Sequence, residues 1–292
     1  MNFGNVLTAM VTPFDDNLEV NYAEAKKLAQ YLVDNGSDGI VVAGTTGESP
    51  TLTKEEKVRL FAAVKEQVGG KAKVVAGTGS NSTKESVILT REAEKLGLDG
   101  IMLVVPYYNK PCQDGLYAHF REIATATSLP VMLYNVPSRT VTNLNPATVA
   151  KLAEIPNVVA IKEAAGSMDQ VTELRRALPA DFAIYSGDDS LTLPMLALGC
   201  QGIVSVASHI AGNEIQTMIR AFNASDHSKA AAIHQQLFPV FKSMFVTTNP
   251  IPVKAAVNLL GIKAGSVRLP LLDAKPEVVE AVRKSLVQLG RL

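Results

Sequence analysis

Lys162 closes the apolar run Val158-Val159-Ala160-Ile161, a position that keeps its side chain close to a protein interior. An ammonium buried there is costly without a partner, and desolvation lowers its pKa. A lysine made neutral in this way is a nucleophile toward carbonyl carbon. The plainer alternative is a lysine paired with Glu163 or reaching solvent. Tyr134 also ends an apolar run. Its phenol can pass a proton to a reacting group, or it can be a core tyrosine with one hydrogen bond. The segment GTTGES at 44–49 offers the hydroxyls of Thr45 and Thr46 together with backbone N–H groups. Such a loop can hold an anion, but it lacks the lysine ending of a nucleotide-binding P-loop, so a carboxylate is the anion that fits. A helix cap around Ser49 or Thr53 is compatible with that role.

Other polar groups narrow the chemistry. In SGDDS at 186–190 two aspartates would repel phosphate, so the substrate is read as unphosphorylated. Asp188 and Asp189 are themselves read as residues at a helix N-terminus. The histidines His119, His209, His227 and His234 lack the spacing of a metal pair, and no Cys/His cluster exists. A metal-dependent reaction is therefore not expected. Cys112 and Cys200 are read as inert thiols. Tyr107 and Tyr108, in PYYNKP, could pack a loop or touch a partner subunit.

These groups need elements to hold them. Short apolar runs recur near 5–11, 38–43, 73–77, 100–105, 130–135, 158–162, 182–186 and 202–206. Several are nearly continuous in apolar residues, as parallel strands covered on both faces are. Helical periodicity fills the gaps at 22–35, 54–68, 83–96, 113–127, 146–154, 168–177, 189–198 and 211–223. Thr53 with Glu56 predicts a capping box, and Gly36 and Gly97 read as stops. The alternation predicts an α/β fold, a (β/α)8 barrel over 1–225, with helices 226–246, 251–260 and 276–289 as a C-terminal helical region over 226–292. A doubly wound sheet is the rival, but TPFDDN after the first strand has no glycine-rich dinucleotide turn. In a barrel, the strand ends that carry GTTGES, Tyr134, Lys162 and SGDDS share one rim.

Composition sets the outer limits. The chain has 292 residues, of which 47% are hydrophobic, enough for a large core. Lys+Arg 28 balances Asp+Glu 28, so no basic excess is available for nucleic acid. Two cysteines exclude a disulfide framework and suit a reducing cytoplasm. The first residues carry no basic region and soon meet an acidic pair, unlike a secretory signal. The uncharged stretch 190–208 is broken by Pro194, Gly199, Gln201 and Gly202. It reads as a buried helix and strand, not a membrane span.

Taken together, TAMVTPFDD, GTTGES, PYYNKP, LYNVPSRT, IKEA, SGDD, NPIPVK and RLP resemble the dihydrodipicolinate synthase family of pyruvate-dependent class I aldolases and lyases. The resemblance covers essentially the whole chain. GTTGE and the lysine alone would mark only the wider superfamily, whose sister branches include N-acetylneuraminate lyase and keto-deoxy sugar-acid aldolases. A non-catalytic keto-acid-binding barrel is a reading of another class, but it would be expected to lose Lys162 or Tyr134.

The resemblance implies that Lys162 forms a Schiff base with pyruvate, whose enamine attacks L-aspartate 4-semialdehyde to give 4-hydroxy-tetrahydrodipicolinate, a step of diaminopimelate and lysine biosynthesis. It implies that Thr45 and Thr46 hold the pyruvate carboxylate, and that Thr46, Tyr134 and Tyr108 form a proton relay, Tyr108 coming from a neighbouring subunit. Arg139 matches the residue that binds the carboxylate of the second substrate, and Gly187 and Val204 match backbone positions near Lys162. No cofactor is implied, and the assembly is a homodimer or homotetramer. Ser49, Pro50, Lys54, Lys57, Asn81, Glu85 and Tyr107 match an inhibitory lysine-binding cleft. Lys54 and Lys57 stand where well-inhibited relatives carry histidine, and Pro50 replaces a small residue. Weak inhibition or none is therefore expected, because two ammonium groups would repel the ligand's own.

Overall fold

Apolar runs become strands where both faces can be covered. In the computed structural model, which describes residues 3–292, they form β1 (Val6–Ala9), β2 (Gly39–Val42), β3 (Lys73–Gly77), β4 (Gly100–Val104), β5 (Val131–Asn135), β6 (Val158–Glu163), β7 (Ala183–Ser186) and β8 (Gly202–Ser205). Each pairs in parallel with the next, and β8 returns to β1, so the expected (β/α)8 barrel is closed.

Alternation along the strands sorts the interior into two cores. Leu7, Val41, Val75, Met102, Met132, Ala160, Tyr185 and Val204 pack inside the barrel. Ile40, Val74, Ile101, Leu133, Ile161, Ile184 and Ile203 belong to the shell between barrel and helices. Phe3 packs with the inner group, its N–H donating to the Tyr185 phenol at 3.2 Å.

The surrounding helices are α1 (Tyr22–Asp34), α2 (Lys54–Val68), α3 (Thr83–Lys95), α4 (Gln113–Thr125), α5 (Pro137–Thr140), α6 (Pro146–Leu152), α7 (Met168–Ala177), α8 (Thr192–Ala197) and α9 (Ser208–Asn223). The predicted capping box opens α2: Thr53 Oγ1 accepts the Glu56 N–H at 3.1 Å, and the Glu56 carboxylate accepts the Thr53 N–H at 2.8 Å. The single turn α5 was not expected from periodicity, being too short to show one. Pro137 starts it, and Val141, at φ 57, ends it. The expected helix 189–198 is divided into a 3-10 turn, Asp189–Leu191, and α8. The expected helix 211–223 starts earlier, at Ser208, and bends at Ala211, whose φ is −135.

Three helices follow: α10 (His227–Ser243), α11 (Ile251–Leu259) and α12 (Pro276–Gln288). α10 packs against α9. The C-terminal segment also reaches the loop after β2. Lys254 Nζ meets the Glu48 carboxylate at 2.8 Å, both side chains fully buried, and the Arg268 N–H donates to the same carboxylate at 2.9 Å. The Phe14 ring lies 4.0 Å from Lys254 Nζ and 4.4 Å from Arg268 Cζ, a geometry that suits cation–π attraction. Among the described residues, no helix is long and apolar enough to cross a membrane, and the stretch 190–208 divides between α8, β8 and the start of α9.

Candidate active site

Strands β5 and β6 are paired so that Tyr134 lies opposite Lys162. Lys162 Nζ sits 4.2 Å from the centroid of the Tyr134 ring. Lys162 is 5% exposed, and burial pulls its ammonium down to about 7. The negative Asp189 opposes that shift and the positive Arg139 adds to it. Strand alternation sends Glu163 the other way, where its carboxylate accepts from Asn135 Nδ2 at 3.1 Å, the Ala165 N–H at 2.6 Å and Gln170 Nε2 at 3.0 Å. The alternative of a Lys162–Glu163 pair is therefore overturned: neighbours on one strand face opposite sides.

The two aspartates of SGDD also diverge. Asp188 acts as expected, accepting the Ser190 N–H at 2.9 Å at the start of the 3-10 turn. Asp189, the first residue of that turn as expected, also turns inward. It is 2% exposed and accepts from the Ser205 hydroxyl, the Val206 N–H at 3.2 Å and the Ala207 N–H at 3.1 Å. Burial raises its carboxyl to about 6 against those hydrogen bonds. The sequence carried no signal for this, because the donors come from the end of β8. Gly187 packs against the lysine: a Cβ there would fall 2.7 Å from Ala164 Cβ and 3.1 Å from Lys162 Cε. Val204 is buried on the inner side of β8.

A cavity of about 200 Å³ opens beside Tyr134, lined by Gly44, Thr45, Ser49, Pro50, Tyr107, Tyr134 and Arg139 among others. Lys162 adjoins it through Tyr134, whose ring its Nζ meets. Burial raises the Tyr134 phenol, while the Arg139 charge and the Thr45 hydroxyl pull it back down. Of the two threonines, Thr45 is the one that acts on the Tyr134 phenol. Thr46 is buried and accepts from Asn249 Nδ2 at 2.9 Å. Arg139, exposed on α5, donates from Nη2 to the Asn249 backbone oxygen at 3.4 Å. Tyr108 is not brought to this cavity. It is 91% exposed, on a backbone with φ 73. A larger depression of about 770 Å³, between the loop at Asp15 and Asp16, α11 and the segment after it, contains none of these groups. Among the described residues, no three His, Cys, Asp or Glu side chains lie together as metal ligands would.

The model of the Dihydrodipicolinate synthetase family matches residues 2–289. The chain belongs to this family. It is 63% identical to a 4-hydroxy-tetrahydrodipicolinate synthase of Desulforamulus reducens, over 100% of this chain and 99% of that one. It is 58% identical to the enzyme of that name from Moorella thermoacetica, over 100% of both. Among solved structures, the dihydrodipicolinate synthase of Cyanidioschyzon merolae, with lysine bound, superposes at a TM-score of 0.98, with 52% identity and 99% of each chain covered. A Bacillus anthracis dihydrodipicolinate synthase superposes at 0.96, with 52% identity and 98% of each chain covered.

The structure places the residues offered for an inhibitory cleft as follows. Ser49, Pro50 and Tyr107 line the same cavity as Thr45 and Arg139. Lys57 is half-buried. Burial lowers its ammonium, while Glu56 and Glu85 pull it back up. Lys54 is exposed, 3.6 Å from Glu55. The backbone oxygen of Asn81 accepts from Asn109 Nδ2 at 2.9 Å, which ties the loop after β3 to PYYNKP.

Proposed function

We propose that this chain condenses pyruvate with L-aspartate 4-semialdehyde to give 4-hydroxy-tetrahydrodipicolinate, through a Schiff base on Lys162. The observation that carries the reading is an amine buried against Tyr134 with its pKa drawn to about 7. Full-length relatives named for this activity support it.

The neutral Lys162 amine attacks the ketone carbon of pyruvate. The carbinolamine loses water to give the iminium, with Tyr134 supplying the proton that leaves as part of that water. Loss of a proton from the pyruvate methyl gives the enamine. Its carbon then attacks the aldehyde carbon of the second substrate. The substrate's own amine attacks the iminium carbon, closes the ring and expels Lys162 as a free amine. Two oxyacid groups must be held meanwhile. The hydroxyls and N–H groups of Thr45 and Thr46 hold the pyruvate carboxylate, and the Arg139 guanidinium meets the second carboxylate as a planar fork. We assign the relay hydroxyl beside Tyr134 to Thr45, the threonine that lines the cavity with it and acts on its phenol.

We also infer that the active unit is at least a homodimer, since Tyr108 is exposed and away from its own cavity. A relative described as a monomeric variant makes this a point to measure. We place the enzyme in the cytoplasm on its cysteine usage, and we retain weak inhibition by lysine as the expectation. The decisive assay offers pyruvate with L-aspartate 4-semialdehyde, and separately N-acetylneuraminate. Condensation without cleavage of the sialic acid is expected. Cleavage without condensation would assign the chain to a sister activity.

A further inference from the structure

Thr46 and Arg139 stand on different loops, yet both hydrogen-bond to one residue of the C-terminal segment. Asn249 Nδ2 donates to Thr46 Oγ1 at 2.9 Å, and its backbone oxygen accepts from Arg139 Nη2 at 3.4 Å. Asn249 is 6% exposed, and its Oδ1 is buried without a partner. Reversing the amide would not relieve this, because Nδ2 and its two hydrogens would then stand where Oδ1 finds no partner. Thr46 Oγ1 is used as an acceptor, so its own O–H stays available to donate, and no protein acceptor takes it among the described residues. A group that must bind a carboxylate needs that donor.

The segment that carries Asn249 is itself fixed. Lys254 Nζ, in the first turn and a half of α11, is bound to the Glu48 carboxylate at 2.8 Å and to the Ser266 oxygen at 2.6 Å. Glu48 lies two residues after Thr46, so the amide and the hydroxyl it meets are held by the same buried ion pair.

We propose that Asn249 is a positioning residue for the pyruvate half of the site. It acts through Thr46, committing that hydroxyl to donate toward the substrate carboxylate. The proposal rests on the reading that Thr46 holds pyruvate. It concerns the side-chain amide alone, since any residue at the position keeps the backbone oxygen that Arg139 meets.

The test is Asn249→Asp, which keeps the shape but replaces the amide donor with an acceptor that would take the Thr46 proton. KM for pyruvate should rise roughly tenfold or more, with KM for L-aspartate 4-semialdehyde changed by no more than about threefold. In a Thr46→Val background the same substitution should add less than about twofold, because the partner it acts through is gone. If Asn249→Asp does not fold, Asn249→Ala carries the same test, for it also lacks the donor. Equal rises in both KM values, or a full effect in the Thr46→Val background, would overturn the proposal. So would an unchanged KM for pyruvate. Borohydride trapping of pyruvate by the unaltered enzyme is run alongside. If that fails, the Schiff-base reading itself falls. If it succeeds while the Asn249 variants behave as the parent, only the role of Asn249 falls.

Discussion

At pH 7 an ordinary lysine, with a pKa of about 10.4, is almost wholly ammonium and a poor nucleophile. Lys162, drawn to about 7 by burial, is close to half neutral there. Imine formation with pyruvate should therefore rise as pH increases through about 7 and level off above it, where a free lysine would keep gaining rate toward pH 10. Single-turnover trapping rates across pH 5–9 check this. Asp189 pulls the lysine the other way, so Asp189→Asn should move the midpoint to lower pH. A midpoint that moves up would mean that Asp189 acts on Lys162 by something other than its charge. Arg139→Ala should still trap pyruvate but lose about 1.5–3 kcal/mol with the second substrate, about tenfold or more in kcat/KM. Failure of that variant to trap pyruvate while folded would reassign Arg139. Lys162, Tyr134 and Thr45 were legible because each is a polar residue at the end of an apolar run or in a loop just after one. Asp189 and Asn249 were not. Their partners are backbone groups just after β8 and a hydroxyl after β2, which spacing along the chain does not reveal.

At the scale of elements, the strands and most helices could be read because burial on both faces and a regular period leave marks in composition. The single turn α5 and the 3-10 turns at Ser49 and Asp189 left no period to read. The tie between α11 and the loop after β2 was also illegible, since a lone lysine in NPIPVK gives no sign of its partner. That tie is testable. Lys254→Met leaves the Glu48 carboxylate buried without its cation and should cost about 3–5 kcal/mol in denaturant unfolding. Lys254→Met combined with Glu48→Gln should cost less than Lys254→Met alone, because neither charge is then stranded. If the double variant costs the sum of the two singles, the pair is not coupled as the geometry indicates.

For the whole molecule, the barrel gathers loops far apart in sequence onto one rim, but Tyr108 is exposed and does not line its own cavity. If a second copy receives it, mixing Tyr108→Phe chains with Lys162→Ala chains should restore part of the activity that each lacks alone. A fully active monomer, established by sedimentation at assay concentration, would remove the need for a partner. Regulation belongs to the same scale. Lys54 is exposed and charged, whereas Lys57 is half-buried with Glu85 near enough to act on its charge. The repulsion expected against a bound lysine thus falls mainly on Lys54. Initial rates at near-KM substrate should show little loss until lysine reaches millimolar concentrations. Strong inhibition below that range would show that these two positions do not set the response.

The central claim is covalent catalysis by Lys162, and it is tested most directly by borohydride reduction in the presence of pyruvate, followed by peptide mass spectrometry. One reduced pyruvyl adduct on Lys162, with loss of activity, is the predicted result. An adduct on Lys110 or on the other buried lysine, Lys254, with Lys162 unmodified, would contradict it.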